Sequence, residues 1–265
     1  MEIIKNKIER RFRNGEISES TKDIYLRNLN RIKNLNLNKL SEIVDSFESI
    51  HTRKIVLIIL KVYKEEFETE NIDYDIDIKI PKTKAKKPQV LSEKEIQKII
   101  KTKICRYKWY QQRNTLLVLV LINTGIRVSE LINIRKGDIN DNSILIKGKG
   151  DKYRYVYISK ELNKQLNNLY RKNDEQFIFL NKHKEKLTRK GVFNIIRNKA
   201  KKANIKKKVY PHLFRHMFAI RMLNNGVDIY SVSKVLGHSN LNTTSLYLNI
   251  TKDSIDNIIS NSLNL

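Results

Sequence analysis

The sequence predicts a mainly α-helical protein of two domains, the second a mixed α+β unit with a small β-hairpin. Three observations carry that expectation. Apolar residues recur at helical spacing along most of the chain, as in Ile4, Ile8 and Phe12 or Leu162, Leu166 and Leu169. Residues 79–88, K-I-P-K-T-K-A-K-K-P, hold five lysines and two prolines with no helical period, which reads as an interdomain linker. Strand-like alternation is confined to 143–146 and 153–158, either side of the glycine-rich K-G-K-G-D-K. The expected division is therefore 1–78, a Lys/Pro linker at 79–90, and 91–265 with a last helix from about 252. A chain of 265 residues is long enough for each part to bury its own core.

In the first part, Ile4, Ile8 and Phe12 mark a helix that stops at Gly15. Ser20-x-x-Asp23 has the form of a capping box ahead of a stripe made by Tyr25, Leu29 and Ile32. Leu40, Ile43, Val44 and Phe47 give a short third helix. A fourth, from Arg53 to about Phe67, contains I-V-L-I-I-L-K-V-Y, apolar nearly all round as the centre of a small bundle must be.

The second part opens with a capping box at Ser92-x-x-Glu95, and Leu91 and Ile96 occupy hydrophobic-staple positions. Residues 116–122 are apolar enough for a buried strand, but the polar lead-in Q-Q-R-N-T and the following Asn123-Thr124-Gly125 favour a buried helix with a glycine C-cap. Arg127 follows, and residues 128–134 begin another helix on which Glu130 is spaced to pair with it. Ser159 caps a helix carrying Leu162, Leu166 and Leu169, while 177–180 is apolar without a clear assignment. His183 is expected in an exposed loop. A helix from Lys190 to about Ala203 runs into six lysines between Lys199 and Lys208, expected to face phosphates. Pro211 starts the next helix, which places His212 and Arg215 on one face. Asp228 caps another, with Val232, Val235 and Leu236 in its core, ended by Gly237. Tyr247 lies on or after a short helix beginning near Asn242, and Ile255, Ile258, Ile259 and Leu263 stripe the tail.

Lys+Arg 53 against Asp+Glu 28 gives a formal charge of +25, which points to a polyanionic partner, most simply nucleic acid. Cys105 is the one cysteine, so no intrachain disulfide forms, and a reducing cytosol fits. The N-terminus is too charged for a signal peptide, and the longest apolar run, 116–122, is too short to span a bilayer. The expectation is a soluble cytoplasmic protein without a membrane partner. Arg127, Lys149, His212, Arg215, His238 and Tyr247 form an inventory suited to gripping a phosphodiester and attacking it covalently. His212, Arg215, His238 and Tyr247 lie at separations of three, twenty-three and nine residues. No carboxylate cluster, P-loop or Cys/His metal spacing accompanies them, so no cofactor is expected. Taken singly, each has a plainer explanation: a solvated loop lysine, a helix-end histidine, a packing tyrosine. One shared site explains all six more economically.

T-G-I-R-V-S-E-L, K-G-K-G-D-K, Y-P-H-L-F-R-H-M-F-A and D-I-Y-S-V-S-K-V-L-G-H-S-N-L-N-T-T-S-L-Y, in that order, resemble the tyrosine recombinase (phage integrase) family. The likeness is greatest to the short Xer-type site-specific recombinases and covers roughly residues 89–250. It implies a catalytic domain in the second part and, from architecture and position alone, a four-helix SAM-like core-binding domain that clamps DNA in the first. It implies Tyr247 as nucleophile and the hairpin lysine, aligned on Lys149 with Lys152 as second candidate, as general acid. It also implies double-stranded recombination sites as substrate, a homo-tetramer on DNA that is monomeric or dimeric when free, and a tail donated to a neighbouring protomer. Chromosome or plasmid dimer resolution is the favoured role. The alternatives are integration of a mobile element, a non-catalytic DNA-binding regulator, or a type IB topoisomerase.

Overall fold

The computed structural model describes residues 2–32, 46–47, 49–65, 90–148, 152–171 and 176–237. Its contacts divide the chain into two units, Met1–Lys86 and Lys87–Leu265. Most of the expected third helix, most of the linker, and everything after Gly237 lie outside the described residues.

In the first unit, α1 (Glu2–Arg13), α2 (Glu19–Ile32) and α3 (Ile50–Val62) bring together Ile4, Ile8, Leu29, Ile32, Val56, Leu57, Ile59, Leu60 and Tyr63. Fully burying an aliphatic side chain of this size contributes roughly 1.5–3 kcal/mol. Two expectations need correction. The cap of α2 is Ser18, whose hydroxyl accepts from the Thr21 N–H at 3.2 Å; Ser20 lies one residue inside the helix. Helix α3 starts at Ile50, because the Ser49 hydroxyl accepts from the Thr52 N–H, and Ile50, Ile58 and Val62 stay exposed on its outer side.

In the second unit, α4 (Glu93–Lys101) opens with the expected box: the Ser92 hydroxyl accepts from the Glu95 N–H, and the Glu95 carboxylate accepts from the Ser92 N–H. Then come α5 (Lys108–Thr124), α6 (Val128–Leu131), the antiparallel strands β1 (Ile139–Asn140), β2 (Ser143–Lys147) and β3 (Tyr153–Tyr157), and α7 (Lys160–Tyr170). Helices α8 (Arg189–Lys202), α9 (Pro211–Asn224) and α10 (Ile229–Leu236) complete the described part. Helix α5 is the centre, packed by α4, α6, α7 and α9, which explains why its 116–122 segment is apolar on every side. It ends at Gly125 with φ +62°, the left-handed cap that glycine adopts without a Cβ penalty.

Helix α6 is shorter than the expected 128–134. It ends after Leu131 in tighter turns, with the Asn133 and Ile134 N–H groups donating to the Glu130 and Leu131 carbonyls, and the Ile134 carbonyl then accepts from the Ile178 N–H at 3.1 Å while Arg135 bridges Phe177. That pairing accounts for the unassigned 177–180, where Ile178, Phe179 and Leu180 are buried. In the sheet, Ile144 faces Val156 and Ile146 faces Arg154. Ile144, Ile146 and Val156 are buried, whereas Tyr153, Tyr155 and Tyr157 are exposed. Asp228 and Ser159 cap α10 and α7 as expected.

The lysine run also departs from expectation. Lys199 is 1 % exposed, and its ammonium donates to the Ile100 and Thr102 carbonyls at 3.2 and 2.6 Å. Burial lowers its pKa to about 8. Its position on α8 turns it under the end of α4, so it closes the core and does not meet phosphates. Lys207 ties back to the Val90 carbonyl and the Glu95 carboxylate. Among the described residues no helix is long and apolar enough to cross a membrane.

Candidate active site

Arg215 projects from the first turns of α9 into the interior and is 1 % exposed. A guanidinium there requires acceptors, and two helix ends supply them: its Nη1 donates to the Gly125 carbonyl at 2.9 Å and its Nη2 to the Leu236 carbonyl at 2.7 Å. Gly125 closes α5 and Leu236 closes α10, so the permanent positive charge sits where two backbone dipoles are negative. Gly125 has a second role besides its left-handed turn. A Cβ there would lie 2.5 Å from the Phe218 ring and 2.9 Å from a Leu236 methyl.

Arg127 precedes α6 as its N-cap residue. Its Nη1 lies 3.1 Å from Glu130 Oε1, its backbone N–H donates to Glu130 Oε2 at 2.7 Å, and its Nη2 donates to the Gly237 carbonyl at 2.9 Å. The pairing anticipated from the three-residue spacing is therefore present. Its side chain is 39 % exposed, leaving the guanidinium in reach of a ligand from solvent. Glu130 is 7 % exposed. Burial alone would raise its pKa, but hydrogen bonds from the Arg154 side chain and the Arg127 backbone, with both guanidinium charges, outweigh it and hold the carboxyl below the usual range.

His212, in the first turn of α9, joins this group. Its pKa lies below the ordinary value, first because burial disfavours the imidazolium and then because Arg215 and Arg127 repel it. Both effects favour the neutral ring, the form that can accept a proton. His216 packs edge-on against it, with ring centroids 4.5 Å apart and planes at 74°. Burial, His212 and Arg215 lower the pKa of His216 to about 4.

The structure thus brings together Arg127, His212 and Arg215. Lys149, His238 and Tyr247 lie outside the described residues, though their neighbours Gly148, Lys152 and Gly237 are described. Two residues at the site were not singled out from sequence as contributors to it, Arg154 and His216. The signal for Arg154 was the strand alternation itself: with Tyr153, Tyr155 and Tyr157 outward, an arginine at 154 must point inward. From sequence His216 reads as a helix-end hydrogen-bonder, and the signal that places it is its spacing, four residues after His212 and so on the same helical face.

A profile described as the phage integrase family matches residues 89–254. The tyrosine recombinase XerA of Pyrococcus furiosus is 38 % identical over 216 residues, 77 % of this chain and 71 % of that protein. The tyrosine recombinase XerD of Staphylococcus haemolyticus is 35 % identical over 194 residues, 69 % of this chain; the match spans 65 % of that relative's length, just under two thirds. Among solved structures, an XerH site-specific recombinase bound to a palindromic difH substrate in a post-cleavage complex superposes with a TM-score of 0.70 at 25 % identity, covering 86 % of this chain and 73 % of that one. A lambda integrase dimer on a core site superposes with a TM-score of 0.73 at 15 % identity, covering 91 % of this chain and 96 % of that one, a likeness of fold alone. With the family profile spanning the segment that holds the two arginines and the histidine, the chain belongs to the phage integrase family of tyrosine recombinases and is of the Xer type.

Proposed function

We propose that this protein is a site-specific DNA recombinase that cuts and rejoins double-stranded DNA through a 3′-phosphotyrosine intermediate. The observation that carries this reading is the convergence of Arg127, Arg215 and His212 where α10 ends, two residues before His238. A phosphodiester resists attack because it is an anion, and its pentavalent transition state concentrates charge on the non-bridging oxygens. Arg127 offers a planar fork that answers that charge as it develops, Arg215 adds its permanent charge and remaining N–H groups from beneath, with Nη1 and Nη2 each anchored on a carbonyl, and His238 adds a further hydrogen bond. Tyr247 forms the bond to phosphorus. A phenol has an unperturbed pKa of about 10, so it needs an acceptor, and His212 takes its proton. The bond to the 5′ oxygen breaks, and Lys149 protonates that oxygen. In the reverse step the 5′ hydroxyl of a partner duplex attacks the phosphotyrosine, so the bond energy is retained.

In this reading residues 91–265 carry the chemistry. Residues 1–78 contribute a helical four-helix SAM-like domain that contacts the duplex, and 79–90 link the two. Four copies assemble on two recombination sites in the cytoplasm, and dimer resolution is the favoured biological role. Support for DNA as partner comes from the relatives, solved on DNA substrates and, for a lambda integrase tetramer, on a Holliday junction. Chromatin immunoprecipitation identifies the occupied genomic sequence, and a plasmid carrying two copies then tests the activity. Exchange between the copies is expected. Relaxed circles without exchange would make the protein a topoisomerase, and binding without strand breakage would make it a regulator.

A further inference from the structure

Arg154 is the one charged side chain of β3, and the strand turns it inward, opposite Ile146. Its side chain is 16 % exposed, and all its hydrogen bonds point into the site. Nη1 and Nη2 donate to the two oxygens of Glu130, each at 2.9 Å, in a two-pronged clamp. Nε donates to the Val235 carbonyl near the end of α10 at 3.0 Å. The guanidinium therefore joins three separate elements: the strand leaving the Lys149 loop, the carboxylate that holds Arg127, and the helix end preceding His238.

The neighbouring glycines sharpen the point. A Cβ on Gly237 would lie 3.2 Å from Arg154 Cζ and Nη1, and one on Gly148 would lie 3.8 Å from Nη1. Arg154 is packed against the backbone of the residues immediately before Lys149 and before His238. Glu130, gripped from the other side by Arg127, cannot shift without moving both arginines. An ammonium at this position supplies no matching planar fork, so lysine cannot reproduce the clamp.

We propose that Arg154 is a positioning residue for DNA cleavage, fastening the hairpin that carries the leaving-group lysine to the Glu130–Arg127 pair and to the α10 terminus. The proposal rests on the recombinase reading above. It predicts that losing the guanidinium slows the chemical step in protein that still folds and still binds its site.

The test uses the full chain and a nicked duplex bearing the occupied genomic sequence, so that cleavage is trapped as covalent adduct. Wild type, Arg154→Met, Arg154→Lys, Glu130→Gln and the Arg154→Met/Glu130→Gln double variant are compared at saturating protein. Measured are the single-turnover adduct rate, duplex affinity and melting temperature. Arg154→Met is expected to cleave about 100-fold more slowly, the scale set by an ångström-sized misplacement of reacting groups, with near-normal affinity. Arg154→Lys should fall between it and wild type. In the Glu130→Gln background the Arg154→Met change should cost no more than about threefold, because both changes break one linkage. Full multiplicative loss in the double variant would overturn the proposal. So would a folded, bound Arg154→Met complex that cleaves at the wild-type rate; if that variant does not fold, Arg154→Lys decides on the same rates. No adduct from wild type would sink the recombinase reading as well, which separates the two failures.

Discussion

Replacing Gly125 with alanine tests whether the turn between α5 and α6 is built around Arg215. Two costs add. The backbone is at φ +62°, where an L side chain costs roughly 1–2 kcal/mol. The new Cβ would also lie 2.5 Å from Phe218 and 2.9 Å from Leu236 in a closed core, and overpacking of that kind costs roughly 1–3 kcal/mol. The sum is about 2–5 kcal/mol, which for a unit of this size lowers the melting temperature by about 4–20 °C. Because the Gly125 carbonyl accepts from Arg215, and Leu236 supplies the other acceptor, relief of the clash also moves the guanidinium. Cleavage by the remaining folded protein should therefore fall. Gly226→Ala is the control: its φ is +82°, but nothing lies within 4 Å of the added Cβ, so only the backbone cost applies. Differential scanning calorimetry and single-turnover cleavage compare the two. Equal melting and equal cleavage for both variants would refute the claim that Phe218 and Leu236 hold this turn shut beneath Arg215.

Arg127→Ala and Arg215→Ala should each slow adduct formation far more than they weaken duplex binding, since an oriented donor of this kind is worth roughly 3 kcal/mol in the transition state; matched losses in filter binding and cleavage would make them phosphate anchors only. Lys149→Ala should be rescued by a substrate with sulfur at the bridging 5′ position, which leaves without a proton, and rescue of Lys152→Ala instead would move the general acid. His212 and His216 have depressed pKa values in the fold, so the unfolded chain binds more protons as pH falls below about 6.5 and stability declines toward pH 4. Denaturant melts of His216→Gln should show a shallower decline over that window, and a curve parallel to wild type would contradict the assignment.

Much of the second unit was legible from local chemistry. The box at Ser92 and Glu95, the caps at Ser159 and Asp228, Pro211 at a helix start and Gly125 at a helix end are all decided within a few residues, and each is present. What sequence missed was decided by distant partners. Helix α6 gives way after Leu131 to a segment whose Ile134 carbonyl is taken by Ile178, far along the chain. Lys199 read as part of a run facing phosphates, but the end of α4 supplies two carbonyls for it. Ser18 and Ser20 are chemically equivalent caps, and only the path of the chain into α2 selects the first. At the site, Arg127, Arg215 and His212 stood out through their motifs. The link from Arg154 to Glu130 crosses twenty-four residues and depends on strand register, which no local pattern states.

The central claim is that Tyr247 attacks DNA beside the cluster that Arg127, His212 and Arg215 form. Its most direct measurement is mass spectrometry of the trapped adduct after proteolysis, made on wild type and on Tyr247→Phe with the nicked duplex. Wild type should yield one nucleotide-bearing peptide, modified on Tyr247 through a 3′ phosphate, and Tyr247→Phe should bind the duplex near normally yet yield none. Adduct on another residue, such as Tyr230 or Tyr210, or adduct that persists in Tyr247→Phe, would contradict it.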